Sequence, residues 1–90
     1  MAGLRYRRAL DLMEAEIGDE LVALDPHMGS CFGFNSVATR VWGALAQPQD
    51  VEALEKILSE EYDVDPDVCS RELAVLLKDM DAKGLITQDR

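Results

Sequence analysis

An alternation of large and small side chains that runs straight into a helix cap constrains this chain more than any other feature. Residues 28–42 read Met28-Gly29-Ser30-Cys31-Phe32-Gly33-Phe34-Asn35-Ser36-Val37-Ala38-Thr39-Arg40-Val41-Trp42. The larger Met28, Phe32 and Phe34 alternate with Gly29, Cys31 and Gly33. That is the period of a strand, whose successive side chains point to opposite faces, and it predicts a strand over 28–34. Asn35-Ser36 then offers side-chain oxygens to the free amides of a helix start. Val37, Val41, Trp42 and Leu45 follow at helical spacing. A strand with one face nearly bare lets another backbone approach closely, so the passage points to a sheet edge that receives a peptide.

The flanking segments complete a fold class. Residues 9–17 carry a moderate strand pattern, Gly18-Asp19 is a turn signal, and Glu20-Leu21-Val22-Ala23-Leu24 is a short apolar run ended by Asp25-Pro26. Three short strands with brief connections predict an antiparallel meander. The rest reads as helix. The first helix spans about 36–46 and stops before Pro48. Asp50 caps a second with Val51, Leu54, Ile57, Leu58 and Tyr62 on one face. Asp65-Pro66 opens a third, with proline at the position where its missing amide costs nothing. In it Cys69, Leu73, Leu76, Leu77 and Met80 recur at three and four residues, and Gly84 closes it. Leu85-Ile86 return to the core. The expected class is α+β and winged-helix-like, a three-stranded antiparallel sheet followed by three helices. Ninety residues make one small domain, placed at 9–88, with residues 1–8 as a flexible basic N-terminal arm.

Composition removes whole classes of function. No apolar run approaches the roughly 20 residues of a membrane span, and acids follow the basic start where a signal peptide would be apolar. The expectation is a cytoplasmic protein. Nine Lys and Arg stand against eighteen Asp and Glu. Residues 9–81 hold seventeen of the acids and four bases, a balance of −13. Such a surface repels nucleic acid and anionic lipid and attracts basic ligands at long range, although acidity also serves solubility alone. The third helix sets Arg71, Lys78 and Lys83 against Asp67, Glu72, Asp79 and Asp81, the wrong sign for a recognition helix on DNA. An acyl carrier would need Asp-Ser-Leu at a helix start. Asn35-Ser36-Val37 is the nearest approach, and the preceding strands do not belong.

An enzyme lacks its parts here. His27 is the one histidine. Four strand residues would hold it about 13 Å from Cys31, beyond hydrogen-bond reach. Cys31 and Cys69 lack the number and pairing of a zinc site or a disulfide framework. Gly29 and Gly33 lack the spacing of a phosphate loop. No metal and no cofactor is expected.

With the order of elements set, the chain resembles the PqqD-like family, the recognition elements for precursors of ribosomally synthesised, modified peptides (RiPPs). The residues that carry the likeness are Phe34-Asn35, Val41-Trp42, Leu45, Tyr62-Asp63-Val64-Asp65, Glu72-Leu73, Leu76-Leu77 and Gly84-Leu85-Ile86, in family order and spacing over about residues 10–87. Glu72-Leu73 stand where an Asp-Val pair is more usual. Trp42, Cys69 and residues 62–65 look most like the stand-alone proteins of lasso-peptide clusters. The alternatives are the peptide chaperone of pyrroloquinoline quinone biosynthesis and, further off, a winged-helix DNA-binding regulator.

The resemblance implies a non-catalytic chain that binds the leader of a precursor peptide and presents its core to a separate maturation enzyme. In the lasso branch that enzyme is a cysteine leader peptidase acting with an ATP-dependent cyclase. Laid antiparallel on residues 28–34, the leader would pair with Met28, Gly29, Ser30, Cys31, Phe32, Gly33 and Phe34. Its alternate side chains would enter a cleft whose far wall is Val68, Glu72, Leu73, Val75 and Leu76. In that reading Gly29, Cys31 and Gly33 leave room for them. Leu73 and Leu76 also fit the core line, whereas Val68 lies off it. An open edge also allows weak self-association through the same strand.

Overall fold

In the computed structural model, which describes residues 4–89, the chain runs β1 (Arg5–Arg8), β2 (Met13–Ile17), β3 (Glu20–Leu24), β4 (Cys31–Phe34), α1 (Ser36–Ala44), β5 (Gln49–Asp50), α2 (Val51–Glu61), α3 (Pro66–Ala82) and β6 (Ile86–Asp89). The expected meander is present, with strands in the order β2-β3-β4 and antiparallel pairing throughout. Its register pairs Leu21 with Phe34 and Ala23 with Phe32, so these four share one face. Leu21, Ala23 and Phe34 are buried there and Phe32 is half-buried. The opposite face carries Met13, Ala15, Ile17, Val22, Leu24, Cys31 and Gly33, all exposed except the half-buried Val22.

Two strands are shorter than their sequence pattern. The first begins at Met13 rather than at residue 9, and β4 begins at Cys31 rather than Met28. Asp25 accounts for the second difference. Its buried carboxylate accepts from the amides of His27 (2.9 Å) and Met28 (3.4 Å). Its own amide donates to Ser30 O and its carbonyl accepts from the Gly29 amide, both at 2.8 Å. Residues 25–30 are therefore drawn into a closed loop, which needs the positive φ of Gly29 (71°). Met28, Gly29 and Ser30 belong to this loop and not to the strand.

The helices start where side-chain acceptors stand ready. Asn35, Asp50 and Asp65 accept from the amides of Ala38 (2.9 Å), Ala53 (2.7 Å) and Asp67 (2.8 Å). The caps fix where each apolar stripe begins, and the stripes meet in one core. Trp42, Leu45, Leu54, Leu73, Met80 and Leu85 are each no more than 1% exposed. The Phe34 and Trp42 rings lie 5.5 Å apart and join the meander to the helices.

The flexible arm is corrected over the residues the structure describes. Arg5–Arg8 form β1, the central strand of a second antiparallel sheet in the order β5-β1-β6, in register from Arg5–Asp89 to Arg8–Ile86. Tyr6 and Arg8 are half-buried while Arg5 and Arg7 are exposed, the alternation of a strand with an arginine on its inner face. That arginine is anchored. Its Nε and Nη2 donate to Trp42 O at 3.1 and 2.6 Å, its guanidinium lies 4.4 Å from the Trp42 ring centroid, and Nη1 lies 3.6 Å from the Glu14 carboxylate. A long aliphatic stem lets Arg8 pack inward where its charge alone would forbid it. Residues 1–3 lie outside the described residues. No helix among the described residues is long and apolar enough to cross a membrane.

Candidate functional site

β4 is an edge strand: β3 pairs with one side, and among the described residues no strand pairs with the other. Which of its polar groups face outward follows from the pairing. The Asp25 amide donates across the loop to Ser30 O, and hydrogen-bonded pairs alternate with non-bonded pairs along an antiparallel ladder. Counting from Asp25–Ser30, the bonded pairs are Ala23–Phe32 and Leu21–Phe34. Phe32 and Phe34 therefore spend their backbone groups on β3. Those of Cys31 and Gly33 point to the open edge, an unfilled template for one more strand.

Beside the end of this edge runs a groove of about 460 Å³, lined by Asn35, Val37, Glu72, Val75, Leu76 and Asp79. Asn35 and Val37 follow β4 directly and are held by the α1 cap. The other four lie on one face of α3, spaced at three, four and seven residues from Glu72. The floor is apolar, with Val75 67% exposed and available for contact. Glu72 and Asp79 give it a negative rim. Asp79 holds Lys83 at 2.9 Å, whereas no described side chain pairs with Glu72.

The structure sorts the candidate residues into groups. Cys31, Phe32, Gly33 and Phe34 form the edge strand, and Met28, Gly29 and Ser30 form the exposed loop leading into it. Glu72, Val75 and Leu76 line the groove. Leu73 is 1% exposed and belongs to the core, so it faces away from the groove. Val68 is 40% exposed on the first turn of α3 and lies off the groove lining. The small residues also have a different place from the one expected. Cys31 and Gly33 share the outer sheet face with Val22 and Leu24, and a Cβ added at Gly33 would meet nothing within 4 Å. They do not open the groove. Phe32 and Phe34 are on the helix-facing side.

Asn35, Val37 and Asp79 are groove residues that the sequence reading missed. Asn35 reads first as a cap and Val37 as part of an amphipathic stripe. Asp79 carried a signal, since it stands seven residues after Glu72 and so shares its face. His27 is exposed in the loop that Asp25 closes. Among the described residues no group of three or more His, Cys, Asp and Glu is placed to hold a metal.

Comparison with known proteins agrees with this geometry. The family described as coenzyme PQQ synthesis protein D (PqqD) matches residues 20–86, a span from β3 to the start of β6. A solved structure described as TbiB1 in complex with the TbiA(beta) leader peptide superposes with a TM-score of 0.78 at 29% identity, covering 89% of this chain and 93% of that one. No curated protein matches the chain significantly. The match, from β3 through β4 and all three helices, shows that this chain belongs to the PqqD family.

Proposed function

We propose that this protein is a RiPP recognition element that binds the leader of a ribosomal precursor peptide as a fourth strand on β4 and delivers it to a separate maturation enzyme. The open edge of β4 carries this reading. Pairing there replaces water on the outward amides and carbonyls of Cys31 and Gly33, so main-chain bonds supply affinity, and the groove against α3 supplies selectivity. The likeness to a protein solved with a leader peptide supports the reading. So does the surface charge, which disfavours nucleic acid.

The chain acts as a carrier of the peptide and leaves the chemistry to its partner. Cys31 is exposed on the outer sheet face, turned away from the groove. A lasso-peptide precursor is the preferred ligand, on the resemblance of Trp42, Cys69 and residues 62–65 to the stand-alone proteins of lasso-peptide clusters. The family description favours a second reading, in which the peptide is the precursor of the quinone cofactor.

A titration separates these readings. The full chain is titrated with the leader of a lasso precursor encoded beside it, with a quinone-cofactor precursor peptide, and with duplex DNA. Saturable binding of the first alone is expected. Binding of the second alone moves the chain to the quinone pathway, and binding of DNA alone overturns the peptide reading.

A further inference from the structure

The groove between α1 and α3 has a chemistry more specific than a hydrophobic slot. Its floor is Val37, Val75 and Leu76, and its rim is acidic. The nearby cations of α3 are engaged or placed elsewhere. Lys83 is bound to Asp79, the Arg71 Nε donates to the Asp67 carbonyl, and Lys78 lines a different cavity with Tyr6 and Leu77. Glu72 is exposed at the groove with no described partner. A ligand side chain resting on Val75 and Leu76 therefore has a free carboxylate one helical turn away.

The spacing matches a strand. Glu72 and Leu76 are four residues apart, a rise of about 6 Å along the helix, while alternate side chains of a strand are about 6.8 Å apart on the same face. A strand laid along the groove meets the apolar floor and the Glu72 carboxylate with residues two positions apart. The groove adjoins Asn35 and Val37, just past the C-terminal end of β4. An antiparallel leader brings its N-terminal half to that end.

Resting on the peptide-binding reading above, we infer that the groove selects a leader segment in which an apolar side chain stands two residues from a Lys or Arg, N-terminal to the stretch that pairs with β4. The apolar residue packs on Val37, Val75 and Leu76. The cation is received by Glu72, with Asp79 adding to the negative field. The partial exposure of the pair keeps its contribution modest and salt-sensitive, so its main effect is discrimination against leaders with an acid at that position.

The test is selection of a displayed library of random twelve-residue peptides on the full chain, on Glu72→Lys and on Gly33→Pro. Glu72 is exposed, so its replacement leaves the core intact. On the natural chain the selected peptides should carry an apolar residue with Lys or Arg two positions away. On Glu72→Lys the same apolar preference should persist while Asp or Glu replaces the base. A selected peptide should lose about tenfold in affinity on Glu72→Lys and regain it when its base is changed to Glu. Apolar enrichment that Gly33→Pro abolishes, with no charge preference on either chain, would overturn the inference and leave the edge-strand reading standing. Failure to enrich any peptide, or binders indifferent to Gly33→Pro, would overturn both.

Discussion

The indole Nε1 of Trp42 donates to the Glu14 carboxylate at 3.0 Å, across 28 residues of sequence. The same carboxylate faces Arg8, whose guanidinium stacks on the Trp42 ring and binds its carbonyl. Three elements, β1, β2 and α1, are thereby tied at one point. The tie matters for the site because α1 follows β4 directly, so a shift of Trp42 would move Asn35 and Val37 with it.

This tie predicts a graded loss of stability. Trp42→Phe keeps most of the ring packing and loses the hydrogen bond, at a cost of about 1 kcal/mol. Trp42→Ala empties a core position and should cost about 3–5 kcal/mol. Arg8→Ala should cost about 1–2 kcal/mol through lost packing and hydrogen bonds. Urea denaturation reads all three. A stability unchanged by Arg8→Ala would return residues 5–8 to the status of a loose arm.

Two neighbouring leucines of α3 should separate core from groove. Leu73→Ala should destabilise the fold by about 2–5 kcal/mol, since the side chain is 1% exposed. Leu76→Ala removes a half-buried groove contact, costs about 1 kcal/mol of stability and should weaken leader binding about tenfold. Thermal unfolding and a binding titration on the two variants check this. Equal effects of both on both measurements would erase the distinction.

Edge chemistry makes Gly33 and Cys31 informative in a different way. Gly33→Ala places its methyl in open space on the outer face and should leave leader affinity within about twofold, with stability equal or slightly raised. Cys31→Ser should be similarly mild. Cys31→Pro removes an outward amide and should reduce affinity severely while α1–α3 remain folded by circular dichroism. Loss of maturation with Cys31→Ser at unchanged peptide affinity would point instead to thiol chemistry.

The acidic surface should act on encounter. Exposed charges more than about 8 Å apart are largely screened at physiological salt, whereas strand pairing and the apolar groove contacts are short-range and the exposed Glu72 pair adds only a modest part. Raising salt should slow leader association severalfold and change dissociation little. Stopped-flow kinetics across a salt series decides this. A dissociation rate that rises as steeply as association falls would place the charge recognition wholly within the contact.

Much of this architecture is legible locally. The three caps announce the helices because each satisfies an amide two or three residues on in the sequence, and the proline after Asp65 does so because it has no amide to satisfy. What is not legible depends on distant partners. Nothing near Arg8 says that Trp42, 34 residues on, will hold it in a strand. The pattern of residues 28–30 reads as strand until the buried Asp25 carboxylate claims the amides of His27 and Met28. The site divides in the same way. Glu72, Val75 and Leu76 are visible as a helix face, but that Gly33 and Cys31 turn from the groove follows only from the register with β3.

The central claim is that the leader becomes the fourth strand of this sheet, and amide hydrogen exchange at β4 tests it most directly. Before peptide is added, the outward amides of Cys31 and Gly33 should exchange fast, and those of Phe32 and Phe34, paired to β3, should be protected. A saturating leader should slow Cys31 and Gly33 by about tenfold or more and change Phe32 and Phe34 far less. Saturation that leaves Cys31 and Gly33 as fast as before would contradict the account.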